Sequence, residues 1–169
     1  MLKCWSLLLS VVCLGLIGNL NGQQVSSSYT IKAQALVVDQ TEIEMVTIQN
    51  LQIDDSMARD GIIHVSAQHD PEAGLLKILG KSGAHFRVQF NPEWVIENTL
   101  GDGTLLINYE LFGFQSNLQF ASEPIDPAKR VMVISNLGEY YFWIGGRIDI
   151  SNAHPGSYQG EFTIEIEYL

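Results

Sequence analysis

The sequence predicts an all-β fold, specifically an immunoglobulin-like antiparallel β-sandwich, and three observations support this prediction. From Tyr158 to Tyr168, apolar or small residues alternate with polar ones, and a period of two places them on opposite faces of a strand. Clusters of Gly, Pro, Asn and Asp recur about every ten residues, a spacing typical of sandwiches and barrels. No segment beyond residue 22 shows the 3.6-residue period of an amphipathic helix.

The predicted strands are bounded by residues that favour turns. Strands are predicted over residues 29–37, 43–49, 62–68, 75–79, 85–90, 94–98, 105–113, 131–133, 140–144, 147–150 and 158–168. Turns or loops are predicted at residues 54–61, 69–74, 80–83, 101–103 and 152–156, where Asp, Asn, Pro and Gly concentrate. Pro92 ends one strand, because proline cannot continue a central ladder. The chain shows no internal repeat and no linker-like change in composition, so residues 23–169 are predicted to form one domain.

The first 22 residues have the layout of a secretory signal peptide. Lys3 precedes an apolar run over residues 7–17, and residues 18–22 are small and polar. The run is too short for a membrane-spanning helix, and its flanks fit a signal peptide. We therefore predict a mature chain of residues 23–169, exported to the periplasm or the cell surface, with no membrane span.

Cysteine content and charge exclude several kinds of chemistry. Both cysteines, Cys4 and Cys13, lie in the predicted signal peptide, so the mature chain has no disulfide, thiolate nucleophile or cysteine metal site. Of the 9 basic residues, Lys3 is removed with the signal; 8 basic and 19 acidic residues remain, a formal charge of −11. Such a surface repels phosphate backbones, so no nucleic-acid partner is predicted.

Catalytic motifs are not found. The chain has no nucleophile elbow, no phosphate-binding loop and no dinucleotide fingerprint. The four histidines, at positions 64, 69, 85 and 154, are scattered and lack the spacing of a metal site. The acidic turn at residues 54–61 lacks the alternating ligands of a calcium loop. We predict a non-enzymatic protein with no cofactor and no metal.

The C-terminal part carries a resemblance to a known family. The segments that carry it are residues 142–150, residues 155–160 and the final alternating strand ending in Tyr168, with a looser likeness at residues 84–86 and 105–107. They resemble the secreted bacterial family known as domain of unknown function 4402. That family has no established function, so the resemblance implies an exported protein and leaves its role open.

The last strand is also similar to that of pilin subunits assembled by a chaperone and usher. Tyr168 is the penultimate residue, and Gly156 stands fourteenth from the end, where pilins carry an aromatic residue and a glycine. The resemblance implies partners: a periplasmic chaperone, or like subunits that donate an N-terminal strand. The strand-pairing candidates are Gly156, Tyr158, Phe162, Ile164, Ile166 and Tyr168, with Tyr29, Ile31, Ala33, Ala35 and Val37 as the donor strand. The sequence also leaves open that this donor pairs within its own fold.

An aromatic stretch offers a different function. On a strand, Tyr140, Phe142 and Ile144 face one side, while Tyr141 and Trp143 face the other. The second pair is expected either to be buried, in a central strand or under a loop, or to form a surface that a subunit contact or a sugar ring covers. The leading prediction is a structural or adhesive surface protein, such as a fimbrial subunit, that acts through strand pairing. The alternative is a monomeric carbohydrate-binding module that uses Tyr141 and Trp143.

Overall fold

The computed structural model describes residues 27–37, 43–126 and 131–169. The predicted signal peptide and its cleavage point lie outside the described residues. The described residues form twelve strands: β1 (Ser28–Val37), β2 (Ile43–Gln49), β3 (Leu51–Asp54), β4 (Ile62–Val65), β5 (Gly74–Gly80), β6 (His85–Phe90), β7 (Glu93–Asn98), β8 (Thr104–Phe114), β9 (Glu123–Pro124), β10 (Met132–Val133), β11 (Glu139–Asp149) and β12 (Ser157–Tyr168). Two short 3-10 turns, Asp55–Met57 and Gln119–Ala121, complete the elements. The prediction of an all-β fold is confirmed.

All twelve strands belong to one hydrogen-bonded sheet. Its main path runs β10-β6-β12-β7-β8-β11-β5-β2, with β1 between β12 and β3, β4 beside β11, and β9 beside β8. Every strand pair is antiparallel except β1 with β12, which run parallel. The expectation of a wholly antiparallel sheet is therefore wrong at this one seam, because side-chain alternation has the same period in both kinds of pairing.

The sheet curves back on itself around one hydrophobic core. The Phe86 ring on β6 meets Tyr140 at 5.3 Å and Phe142 at 6.3 Å, both edge-on and both on β11. Three strands separate β6 from β11 along the sheet path, so these contacts cross the core. Edge-to-face packing at such distances is favourable for aromatic rings. As predicted, Tyr140, Phe142 and Ile144 share the core face of their strand.

The sequence pattern missed a continuity in β11. A break was expected between residues 144 and 147, but β11 is one strand from Glu139 to Asp149. Its partner changes from β5, paired as far as Ile144, to β4, paired from Gly146 onwards. A Cβ atom at Gly145 would lie 2.3 Å from the Val65 carbonyl oxygen and 2.4 Å from the Ala67 nitrogen. The glycine therefore allows close backbone approach and does not end the strand.

Two short strands were also missed. β3 has only four residues and β9 only two, too few for a periodic pattern to identify. The predicted turn at residues 54–61 is present, with positive φ at Asp60 (52°) and Gly61 (76°). Within the described part of the chain, no helix has the length and hydrophobicity needed to cross a bilayer.

Candidate functional site

The C-terminal strand β12 keeps the alternation that its sequence predicts. Tyr158, Phe162, Ile164 and Ile166 are buried at 2 % exposure or less, and the intervening polar residues are exposed. Tyr168 is half-buried and packs against the same core. On the outer face, Glu167 pairs with Arg87 of the neighbouring strand at 3.2 Å. β12 thus has one apolar face inside the fold and one acidic face outside.

The predicted donor strand β1 lies against β12 in parallel register over ten residue pairs, from Ser28 opposite Ser157 to Val37 opposite Ile166. All five donor candidates fall opposite predicted apolar-face residues of β12. The pairs are Tyr29 with Tyr158, Ile31 with Gly160, Ala33 with Phe162, Ala35 with Ile164, and Val37 with Ile166. The structure therefore brings together the two sets of residues that the sequence singled out, within one chain.

An aromatic pair anchors the beginning of this seam. The Tyr29 and Tyr158 rings stack with centroids 5.3 Å apart and planes 25° from parallel. Burial raises the pKa of the Tyr29 hydroxyl above its ordinary value. The Tyr158 hydroxyl donates a hydrogen bond to the His154 carbonyl at 2.9 Å. Both rings are at most 2 % exposed, so this stacked pair is a buried side-chain contact of the seam.

Ser27, which the sequence reading missed, fixes the backbone ahead of the seam. Its N–H donates to the Asp55 carboxylate at 2.8 Å, and its hydroxyl accepts a hydrogen bond from the Gly156 N–H at 3.3 Å. Gly156 itself lies close to Asn98, whose side-chain atoms stand 2.5 Å from where a Cβ would be. This predicted candidate therefore acts as a close-packed link between the β1 and β12 ends.

The two halves of β1 differ in the number of strands that pair with them. Residues 28–31 also pair with β3, through Leu51–Asp54. For residues 32–37, β12 is the one strand partner within the described part of the chain. Lys32 opposite Glu161 marks the start of this second half. The first half of β1 is therefore an inner strand, and the second half is an edge strand held by β12.

The two residues of the predicted sugar platform are buried in the structure. Tyr141 is 8 % and Trp143 3 % exposed, and both pack with Ala67 in a small second cluster. The 3-10 turn at residues 119–121 is tied to the Ala67 end of this cluster, because the Gln119 amide donates to the carbonyls of Ala67 at 3.0 Å and Asp70 at 2.7 Å. Of the alternatives that the sequence leaves open, burial is therefore the one observed, and Leu75, Phe112 and Phe114 pack against the cluster.

A charged contact borders this second cluster. The Lys77 ammonium lies 2.6 Å from the Glu139 carboxylate, and the Tyr141 hydroxyl donates to the same carboxylate at 2.8 Å. These two hydrogen bonds hold the pKa of Glu139 below its ordinary value, the lysine contributing most. The same contact raises the pKa of Lys77. The arrangement is a local ion pair on the rim of a packed cluster.

The described histidines do not converge. His64 contacts Glu110 at 3.0 Å, and His154 follows the turn before β12. No three His, Cys, Asp or Glu side chains among the described residues are grouped as a metal site would require. The feature that best combines predicted residues and observed geometry is the β1–β12 seam.

Comparison with known proteins agrees with the resemblance in the C-terminal segment. A family model described as a domain of unknown function (DUF4402) matches residues 34–168. The chain belongs to this family. The DUF4402 match begins within β1 and includes all of β2 to β12. A search of curated proteins found no match.

Proposed function

We propose that this DUF4402 protein is a secreted, non-enzymatic structural or adhesive subunit of the cell surface, which assembles by exchanging strand β1 between copies. The supporting observation is the ten-pair parallel seam between β1 and β12. A β1 from a second copy can reproduce every pair of this seam, because exchanged elements make the same contacts in trans as in cis. The proposal includes an immunoglobulin-like, pilin-like sandwich as the finer description of the all-β fold.

The connectivity of β1 favours such an exchange. Along the chain, residues 38–42 are the covalent connection between β1 and the strands that follow it. Replacement of β1 by the same strand of a neighbour therefore moves no other described strand. The exchange is head-to-tail, since β1 of one copy occupies the edge of β12 in the next. Head-to-tail contacts that do not close into a ring build open fibres.

The same edge suits a chaperone. While β1 is absent from the seam, β12 exposes the backbone N–H and C=O groups of one edge, which is a template for aggregation. A periplasmic partner that pairs a strand with β12 would protect that edge until a neighbouring subunit arrives. The chaperone strand and β1 would then compete for one position.

A mixing experiment tests the exchange. One batch carries Lys32→Cys and a second carries Glu161→Cys; both positions are exposed and lie opposite each other in the register. The mature chain contains no native cysteine, so a mixed disulfide reports β1 of one chain on β12 of another. After partial unfolding, remixing and mild oxidation, we expect the mixed disulfide-linked dimer on non-reducing gels.

The matched control replaces Glu161→Cys with Glu167→Cys, which is exposed but lies beyond the β1 register. This control should give far less mixed dimer. Equal yields from the two mixtures would contradict the proposal. So would a purified chain of residues 23–169 that remains a monomer, and whose variant lacking residues 23–38 is also a stable monomer.

A further inference from the structure

A cleft on the opposite side of β12 from β1 has the composition of a ligand site. β12 pairs with β6 over residues 164–168 and with β7 over residues 158–159. Residues 160–163 pair with neither strand. The two strands diverge here because the chain bends at Asn91 and Pro92 between them. The gap is a cleft of about 530 Å³, within the size range of small-molecule sites.

Trp94 is the feature that sets this cleft apart. It lies two residues before Ile96 on β7, so both side chains point to the same face. Ile96 is fully buried, and so is Ile107, the cross-strand partner of Trp94. Trp94 is nevertheless 47 % exposed, because the cleft opens beside it. An inward-facing tryptophan is thus left in contact with solvent by a gap in the strand pairing.

The inner wall of the cleft is aromatic as well. The Phe162 ring stands 4.5 Å from Tyr109 and 5.6 Å from Phe90, centroid to centroid. All three residues line the cleft beside Trp94, although Tyr109 and Phe162 are themselves buried. Trp94 and the partly buried Phe90, backed by these two buried rings, therefore offer an apolar surface to a flat, partly apolar ligand.

The rim of the cleft is polar and acidic. Glu161 and Glu165 line it from β12, and the amides of Gln89 and Asn91 line it from the other side. None of the described residues that line the cleft is basic. Carboxylates accept hydrogen bonds, and amides both donate and accept them. An anion is therefore disfavoured, and a ligand rich in hydroxyl groups is favoured.

We infer that this cleft binds a neutral hexopyranose unit of a glycan, stacked on Trp94. A pyranose ring presents a face of C–H groups and an edge of hydroxyl groups. This matches an aromatic wall with carboxylates and amides at its rim, the pattern typical of small-ligand sites. Among the residues whose side chains the structure describes, none of those that line the cleft belongs to β1. The site therefore does not require strand exchange and would give an assembled subunit an adhesive function.

The test uses neutral tetrasaccharides of glucose, mannose and galactose, with a glucosamine tetrasaccharide as the cationic comparison. The chain of residues 23–169 contains two tryptophans, Trp94 and Trp143, so its ¹H–¹⁵N spectrum has two indole signals. We expect at least one neutral sugar to shift the Trp94 signal in a saturable way, with a Kd of about 0.1 to 10 mM. The Trp143 signal should stay in place.

Two variants and a control complete the test. Trp94→Ala should lower the affinity at least tenfold. Glu165→Gln keeps the size of an exposed side chain, so it leaves the fold intact, and it should weaken binding severalfold. Phe120→Ala removes another exposed aromatic ring, at 71 % exposure and outside the cleft, and should bind as the wild type does.

Three results would overturn the inference. The first is no saturable shift of the Trp94 signal with any neutral tetrasaccharide. The second is a shift with the glucosamine tetrasaccharide alone, which would indicate a site for amines. The third is unchanged affinity in both Trp94→Ala and Glu165→Gln. None of these results bears on the disulfide experiment, which measures exchange at the β1 edge.

Discussion

Tyr29 and Tyr158 stack with ring centroids 5.3 Å apart, although 128 positions separate them along the chain. They are directly opposite each other in the parallel register of β1 and β12. The pair joins the two strands that the sequence marks as donor and acceptor. The change in the free energy of unfolding when one of these rings is removed therefore measures how much the seam contributes to stability.

Removal of one ring of this pair should weaken the fold strongly. Tyr29→Ala deletes a ring that is 2 % exposed, and truncation of a buried aromatic side chain costs about 3 to 5 kcal/mol. We expect a loss of this size in the free energy of unfolding, measured by urea denaturation. Lys32→Ala, at an exposed position on the same strand, should change it by less than about 0.5 kcal/mol. A small loss for Tyr29→Ala would show that β1 contributes little to the stability of its own fold.

Gly145 should tolerate no side chain. A Cβ there would approach backbone atoms of residues 65 and 67 to within 2.4 Å, and backbone cannot rotate away as a side chain can. Gly145→Ala should destabilise the protein by about 3 kcal/mol or more. Gly101→Ala is the matched control, because no described residue other than its two chain neighbours has an atom within 4 Å of the added Cβ. Thermal unfolding of the two variants checks the contrast, and equal melting temperatures would contradict it.

Two tyrosine-to-phenylalanine changes should alter the free energy of unfolding in opposite directions. The Tyr109 hydroxyl is buried without a hydrogen-bond partner among the described residues, and burial raises its pKa above the ordinary value. Tyr109→Phe removes an uncompensated polar atom and should stabilise the fold by about 1 kcal/mol.

Tyr158→Phe removes the hydrogen bond to the His154 carbonyl. This change should cost about 1 kcal/mol, since the net worth of a hydrogen bond in a protein is of that order. Urea denaturation of both variants measures the two values. A loss of stability in Tyr109→Phe would mean that its hydroxyl has a partner in solution.

The Glu139 ion pair predicts a pH dependence. Its pKa is lower in the folded protein than its ordinary value of 4.5, so its stabilising effect is complete above that value. It is lost as the pH falls through the folded-state pKa. Melting temperatures of wild type and Glu139→Gln should therefore differ near neutral pH and converge below pH 4.5. Glu44→Gln, at an exposed position, controls for the general effect of one fewer acid; the same pH profile in both variants would contradict the assignment.

The sequence predicts much of this fold, because side-chain alternation is a local property. The alternation of β12 and the positions of Tyr158, Phe162 and Ile166 on its buried face follow from period two alone. The direction of the neighbouring strand does not follow, since a parallel and an antiparallel partner require the same alternation. The parallel seam with β1 was for this reason not predictable.

Non-local contacts explain the other differences. Tyr141 and Trp143 are buried in a cluster with Ala67, against which Leu75 of β5 and Phe112 and Phe114 of β8 pack, all from distant parts of the chain. The Trp94 cleft depends on where β6 and β7 separate along β12. Trp94 has no periodic neighbour pattern that signals a site. Such features arise from chain packing and leave no mark in a single sequence.

The parallel alignment of β1 with β12 also determines how the protein would bear load. Ser28 and Ser157 lie at one end of the seam, and Val37 and Ile166 lie at the other. A pull applied at Ser28 and Leu169 in opposite directions therefore acts along the two strands and strains the hydrogen bonds of the seam together. An antiparallel arrangement would let the same pull open those bonds one after another. The force at which the seam ruptures in this geometry is governed by its unfolding rate. A fibre joined by this seam would therefore carry tension as shear between β1 and β12.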